Sequence, residues 1–322
     1  MGVELKRARL NPQYLHGKDF LTLADYTQEE ITYLLQLADQ LKTQRKNGIA
    51  EQPLKGKTLG MIFEKSSTRT RVSFEAGIYQ LGGNGIFLSS KDIQIGRGES
   101  ISDTAQVLSG YLDAIMIRTF SQTAVEELAE KASIPVINGL TDLYHPCQVL
   151  ADLQTIKEQK GTLDGVKVSY IGDGNNMAHS LMLGAAIMGM HLSVAAPKGY
   201  QPDQKIVAKA KKLAALSEAD IQITDNPELS VKESDVIYTD VWASMGQEEE
   251  QVKREIAFKD FQVHSNLLQL AKSDAIFMHC LPAHRGEEVT ADVIDGNHSV
   301  IFQQAENRLH VQKALLVALM ES

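Results

Sequence analysis

The chain has 322 residues, long enough for two domains with their own cores, and its composition of 43% apolar and 23% charged residues is that of a globular protein. A net charge of −9 argues against a nucleic-acid partner but leaves room for a local basic pocket that holds a phosphorylated metabolite. Two cysteines, Cys147 and Cys280, are too few and too far apart for a disulfide framework, and no apolar run approaches the ~18–20 residues of a membrane span, so a cytoplasmic protein without a membrane partner is expected.

In chain order, residues 1–18 are polar and irregular. Thr27-Gln28-Glu29-Glu30 is a capping box, and Ile31, Leu34, Leu35, Ala38 and Leu41 follow at helical spacing, predicting a helix that ends near Asn47-Gly48. The apolar run 59–63 predicts a buried parallel strand, and residues 72–78 a helix. Gly82-Gly83-Asn84-Gly85 turns the chain into a strand at 86–88. A loop at 92–99 opens a helix at 102–112, followed by a strand at 113–118, a helix at 124–131 and a strand at 135–140. His145-Pro146 starts a long helix to about 159. Gly161-Thr162-Leu163-Asp164-Gly165 resets the pattern, so a domain boundary belongs near 150–161. Beyond it come a strand at 166–171, a helix at 177–188, and strands at 191–196 and 221–224 around a basic helix at 205–216. Strands at 235–241 and 275–280, a short last strand at 300–302 and a tail helix at 309–319 complete the chain. This alternation predicts an α/β fold of two parallel-sheet αβα domains.

The chemistry-bearing stretch is Ser66-Ser67-Thr68-Arg69-Thr70-Arg71, where the first strand turns into a helix. Unpaired amide N–H groups and the helix dipole favour an anion there, and guanidinium forks grip phosphate oxygens at two points. Arg118 closes an apolar strand and emerges at a carboxyl edge, where open α/β sheets bind ligands; read alone, it is equally a surface arginine. His145 stands before a helix with Pro146 near N1, as a cap or as a hydrogen-bond donor to substrate. Gly172-Asp173-Gly174-Asn175-Asn176-Met177 invites a dinucleotide reading, but Met177 stands at the third glycine position and the next strand ends in Ala-Pro-Lys, not a ribose-binding acid. Asp240 ends a strand, and Trp242 beside Ser244-Met245-Gly246 suggests a mobile lid. His279-Cys280-Leu281-Pro282-Ala283-His284 invites a metal, although its spacing fits no common zinc pattern.

Taken together, Phe63-Glu64-Lys65-Ser66-Ser67-Thr68-Arg69-Thr70-Arg71 resembles the carbamoyl-phosphate signature of the aspartate/ornithine carbamoyltransferases. Three further blocks agree in order: His145-Pro146-Cys147-Gln148, Asp240-Val241-Trp242-Ala243-Ser244-Met245-Gly246, and His279-Cys280-Leu281-Pro282, the last two in the ornithine-type form. The resemblance runs from about 20 to about 320. It implies a carbamoyl-phosphate-binding domain at 1–150, with the C-terminal helix 306–322 packed back on it, an ornithine-binding domain at 151–305, and an active site in the cleft between them. Carbamoyl phosphate is then bound by Ser67, Thr68, Arg69, Thr70, Gln94, Arg118, His145, Pro146, Cys147, Gln148, Cys280, Leu281 and Arg308. Asn176, Asp240, Ser244 and Met245 hold ornithine, and Arg118, His145, Asp240 and Cys280 are the catalytic set. Gln94 reaches a neighbouring subunit's site, which implies a homotrimer or a multiple of it.

The implied reaction converts carbamoyl phosphate and L-ornithine to L-citrulline and phosphate, in arginine biosynthesis or the arginine deiminase pathway, with no metal, cofactor or covalent enzyme intermediate. Gln303-Gln304 depart from the acids that many relatives carry there. Two rival readings are a carbamoyltransferase for another amine, such as putrescine, and a nicotinamide-dependent dehydrogenase or phosphometabolite-binding protein. A purely binding protein fits poorly with so complete a set of contacts to the reacting groups.

Overall fold

The computed structural model describes residues 15–90, 98–243 and 248–321. By contact the chain divides into two compact units. The first comprises Met1–Leu21, Asp25–Gly139 and Leu309–Ser322; the second comprises Thr22–Ala24 and Leu140–Arg308.

In the first unit, α1 (Gln28–Lys46) starts as its sequence signals. The Thr27 hydroxyl accepts from the Glu30 N–H, and the Glu30 carboxylate accepts from the Thr27 N–H. Its buried stripe is Ile31, Leu34, Leu35, Ala38 and Leu41. There follow β1 (Thr58–Phe63), α2 (Thr68–Gln80), β2 (Asn84–Ser89), α3 (Ile101–Ser109), β3 (Ala114–Arg118), α4 (Gln122–Lys131) and β4 (Val136–Leu140). The sheet order is β2-β1-β3-β4, with β1 parallel to both β2 and β3. Every residue of β3 is buried, because helices cover both faces and leave no solvated side to be polar. Ile62, Ile115 and Ile117 of the sheet pack with Ala105 of α3 and with Val125 and Leu128 of α4.

The second unit holds α5 (Pro146–Lys160), β5 (Lys167–Ile171), α6 (Asn176–Ile187), β6 (His191–Ala195), α7 (Gln204–Ser217), β7 (Ile221–Thr224), α8 (Pro227–Val231) and β8 (Val236–Thr239). α9 (Gln251–Phe258), α10 (Ser265–Leu268), β9 (Ile276–His279) and α11 (Ala291–Ile294) follow. Its sheet order is β7-β6-β5-β8-β9, all parallel. No helix among the described residues is long and apolar enough to cross a membrane.

Two expectations need correction. The strand foreseen at 300–302 does not form: the Val300 N–H donates to the Phe277 carbonyl at 3.0 Å, and the chain turns at once into α12 (Ile301–Met320). The triplet Val300-Ile301-Phe302 has strand-like composition, but Ile301 is buried and Phe302 exposed as successive positions on a helix. The C-terminal helix thus begins at 301 instead of 306 or 309. Its residues to Arg308 group with the second unit and those from Leu309 with the first, where the Gly17 N–H meets the Leu319 carbonyl at 3.0 Å. Grouped by contact, the chain divides at 139/140, because α5 packs along α6. Gly184 makes that approach close: a Cβ there would lie 2.8 Å from Val149 Cγ1.

Each sheet reverses its winding at one place. In the first unit, β1 is flanked by β2 and β3; in the second, β5 is flanked by β6 and β8. Loops that diverge at such a point leave a crevice at the strands' carboxyl ends, where ligands of this architecture bind. The register pairs Phe63 with Arg118 at the first point, and Ile171 with Thr239 with His279 at the second. These strand ends deliver the sequence's candidate residues.

Candidate active site

At the first switch point, Ser67 is the N-cap of α2, its Oγ accepting from the Thr70 N–H at 3.2 Å and bonding Thr70 Oγ1 at 3.1 Å. The other backbone N–H groups of the first turn have no intrahelical acceptor, the condition under which a helix start can take an anion. Arg69 is half-buried beside them, and Arg118, at the end of the neighbouring strand, is 4% exposed. Arg71, the second guanidinium of the stretch, is engaged elsewhere. Arg71 pairs with Glu75 one helical turn on, at 2.9 Å, and lies over the Phe87 ring. A guanidinium two positions after Arg69 projects from a different side of the helix.

The second unit gathers His145, Gln148 and Arg308. His145 is the N-cap of α5 but makes no side-chain capping bond, and Pro146 takes N1, where its missing N–H costs nothing. The imidazole is thus not consumed as a cap. Its backbone N–H donates to Ser180 Oγ at 2.7 Å, tying the loop to α6. His179 fixes the same loop, its Nδ1 meeting the Leu143 carbonyl at 3.0 Å while Nε2 accepts from the Asp203 N–H at 3.0 Å; burial holds it below the ordinary histidine range, hence neutral. One turn into α5, Gln148 accepts from Arg308 Nη1 at 3.1 Å and donates to Asp152 at 2.9 Å.

Asp152 is fully buried and also accepts from Gln304 Nε2 at 2.7 Å and from the Tyr238 hydroxyl at 3.2 Å. Burial pushes its carboxyl up to about 7, against the pull of its three donors and of Arg308. An acid at 304 would have to share a proton with Asp152, whereas the glutamine amide donates to it as a neutral group. Cys147 is buried within α5, and burial pushes its thiol up to about 12, so it packs as a protonated thiol.

At the second switch point three strand ends converge on Asp240. Asn175 caps α6 through Oδ1, which accepts from the N–H groups of Met177 and Ala178, and its amide donates to Asp240 Oδ2 at 2.9 Å. The Cys280 thiol donates to Asp240 Oδ1, with sulfur and oxygen 2.9 Å apart. Asn176 does not join this group; its amide donates to the Thr141 carbonyl at 2.6 Å. Behind Cys280, His279 accepts the Leu281 N–H on Nδ1 at 2.9 Å, which leaves Nε2–H to meet the fully buried Glu288 carboxylate at 3.0 Å. That contact holds Leu281 in the left-handed region, φ +59°, costly for a leucine and fixed here by its neighbours. With both ring nitrogens engaged, His279 has no lone pair left for a metal that Asp240 and Cys280 alone would share.

The dinucleotide reading fails on local geometry. Gly174 is needed because residues Gln201 and Pro202 press on it: a Cβ would lie 2.2 Å from Pro202 N, and the Gly174 N–H donates to the Tyr200 carbonyl at 2.8 Å. The protein's own backbone takes the approach that such a glycine gives a pyrophosphate. Gln94, Ser244 and Met245 lie outside the described residues. Arg254 of α9 bonds the Trp242 carbonyl and Asp173, each at 2.8 Å, and Glu250 at 3.1 Å. Burial pushes the Asp173 carboxyl up to about 6, with Arg254 pulling it back.

Sequence reading missed Asp152, Asn175, Glu288 and Arg254. Of these, the Gln148–Asp152 spacing of four on one helix face and the Asn175 N-cap were visible signals; the partners of Glu288 and Arg254 depend on tertiary placement.

Residues 18–158 match the family description "Aspartate/ornithine carbamoyltransferase, carbamoyl-P binding domain", and residues 164–319 match its "Asp/Orn binding domain". Among curated relatives, the ornithine carbamoyltransferase of Oceanobacillus iheyensis is 70% identical over 99% of both chains, and that of Bacillus subtilis 61% identical over 95% of both. Among solved structures, the ornithine carbamoyltransferase of Pyrococcus furiosus is 55% identical with a TM-score of 0.93, covering 95% of this chain and 98% of its own. The anabolic enzyme of that name from Campylobacter jejuni is 44% identical with a TM-score of 0.88, over 93% and 97%. With both halves matched and identities this high, the chain belongs to the aspartate/ornithine carbamoyltransferase family.

Proposed function

We propose that the protein transfers the carbamoyl group of carbamoyl phosphate to the δ-amine of L-ornithine, releasing L-citrulline and phosphate. The observation that carries the choice of amino acid is the carboxylate of Asp240, held by Asn175 and Cys280 at the strand ends of the unit that matches the Asp/Orn binding domain. An anion there attracts an ammonium group and repels the second carboxylate of aspartate. The names of the relatives point the same way.

In this reading carbamoyl phosphate lies on Ser67, Thr68, Arg69 and Thr70, with Arg118, His145, Gln148 and Arg308 as further donors. Pro146, Cys147, Cys280 and Leu281 complete its surroundings. Asp240 and Ser244 take ornithine's α-ammonium, while Asn176 and the Met245 backbone take its carboxylate. The neutral δ-amine attacks the carbonyl carbon, and the charge that develops on oxygen is stabilised by the preset donors Arg118, His145 and Thr70. Collapse expels phosphate and the amine sheds its proton, so the step balances without redox chemistry. Gln94 reaching a neighbouring copy makes the working unit a homotrimer or a multiple of it. A cytoplasmic place in arginine metabolism completes the reading.

An amine panel tests the choice: ornithine should be carbamoylated, with putrescine and aspartate slower by orders of magnitude. Comparable rates with putrescine would show that the α-amino-acid head is not recognised.

A further inference from the structure

Within the first unit a cavity of about 570 Å³ lies between the C-terminal turns of α1 and α2 and the side of α12. Gln44, Arg45, Glu51, Tyr79, Gln80 and Lys313 are among its lining residues. Lys313 is 5% exposed. Its stem runs over Gly77 of α2, where a Cβ would stand 3.4 Å from Lys313 Cγ, and the side chain lines the cavity. Neither Lys313 nor Arg45 has an anionic side chain within ion-pair distance among the described residues, and no side chain there hydrogen-bonds the Lys313 ammonium. Burial and the neighbouring guanidinium both act against the charge on Lys313. A buried lysine with a second cation beside it and no ion-pair partner, the exposed Glu51 on the cavity wall lying beyond that distance, is costly to keep charged unless an anion arrives.

We infer that this cavity is a binding site for a small anion bearing carboxylate or phosphate oxygens, gripped by Lys313 and Arg45. It is separate from the phosphate cradle: α2 carries the cradle at its first turn and this cavity at its last, and thirteen residues at 1.5 Å each set them about 20 Å apart. Occupancy ties the C-terminal end of α2 to α1 and α12. Gln80 Oε1, buried and without a hydrogen-bond partner among the described residues, adds an acceptor for a donor group on the same ligand.

The test is competitive acylation of the native protein with acetic anhydride, followed by peptide mass spectrometry. Lys313 labelling is measured against inorganic phosphate, glutamate and, at matched ionic strength, chloride. The site predicts that Lys313 reacts in the free protein and is protected saturably, about elevenfold at ten times the dissociation constant, while exposed lysines such as Lys211 are not. Phosphate protecting without glutamate assigns the site to phosphate esters, and the reverse to carboxylates. Arg45→Met should weaken the protection and, because the repulsion on the Lys313 ammonium is relieved, slow rather than speed its labelling in the free protein. Equal effects of chloride and the test anions would overturn the inference. So would a Lys313 that resists labelling with no anion present, since a neighbouring surface would then cover it.

Discussion

Replacing Asp152 by asparagine separates what burial does to this carboxyl from what its donors do. The side chain is fully buried, and its carboxyl is pushed from an ordinary 3.8 up to about 7. The folded-state value lies above the unfolded one, so the group's full contribution to stability exists below about pH 4 and is lost as pH rises to 7. A shift of that size corresponds to roughly 4 kcal/mol at about 1.36 kcal/mol per unit. The substituted amide cannot ionise. Near pH 4 the variant should match the parent within about 1 kcal/mol, since either neutral group leaves one hydrogen bond with Tyr238 imperfect. Near pH 8 it should be the more stable of the two, by up to about 4 kcal/mol. Urea midpoints at the two pH values measure this.

Activity should move the other way. Above about pH 7, where Asp152 is ionised, Gln148 would face a carbonyl instead of a carboxylate, and Arg308 beyond it would lose a balancing charge. Weakening one charge-assisted bond by about 1.4 kcal/mol lowers kcat/KM for carbamoyl phosphate about tenfold. A stability difference that stays the same from pH 4 to pH 8 would refute the reasoning, because the three donors would then outweigh burial and keep Asp152 ionised throughout.

Arg69→Ala should raise KM for carbamoyl phosphate on the order of ten- to a hundredfold, from roughly 1.5–3 kcal/mol per charge-assisted contact, and Arg69→Lys should recover little; full activity in the lysine variant would remove the fork argument. kcat/KM for ornithine should climb with pH through the neutral and mildly alkaline range, because an amine of pKa about 10.4 is mostly protonated there and only its neutral form attacks; a flat profile would contradict that step. Mixed assemblies of Gln94→Ala and Arg118→Ala subunits should regain activity through reconstituted sites if Gln94 acts across subunits, and no recovery after verified exchange would count against sharing.

Much of the fold was legible because each element announces itself locally. The capping box at Thr27 and the buried runs of β1 and β3 need no tertiary information. The error at 300–302 arose where β-branched composition and helical burial disagree, and burial is decided by the rest of the fold. Among the candidate residues, those at strand ends were readable because α/β architecture puts ligands there. The support behind them was not. That Arg71 turns away to Glu75 is a side-chain choice within one helical turn, while Glu288 standing behind His279 and Arg254 joining Asp173 to Trp242 are facts of tertiary placement.

The most direct test of the central claim is to incubate the purified protein with carbamoyl phosphate and L-ornithine and to follow citrulline and phosphate together. The account predicts both products, one for one, dependent on both substrates, and lost in Arg118→Ala with the fold retained. Phosphate release that does not depend on ornithine, or no citrulline at all, would contradict it.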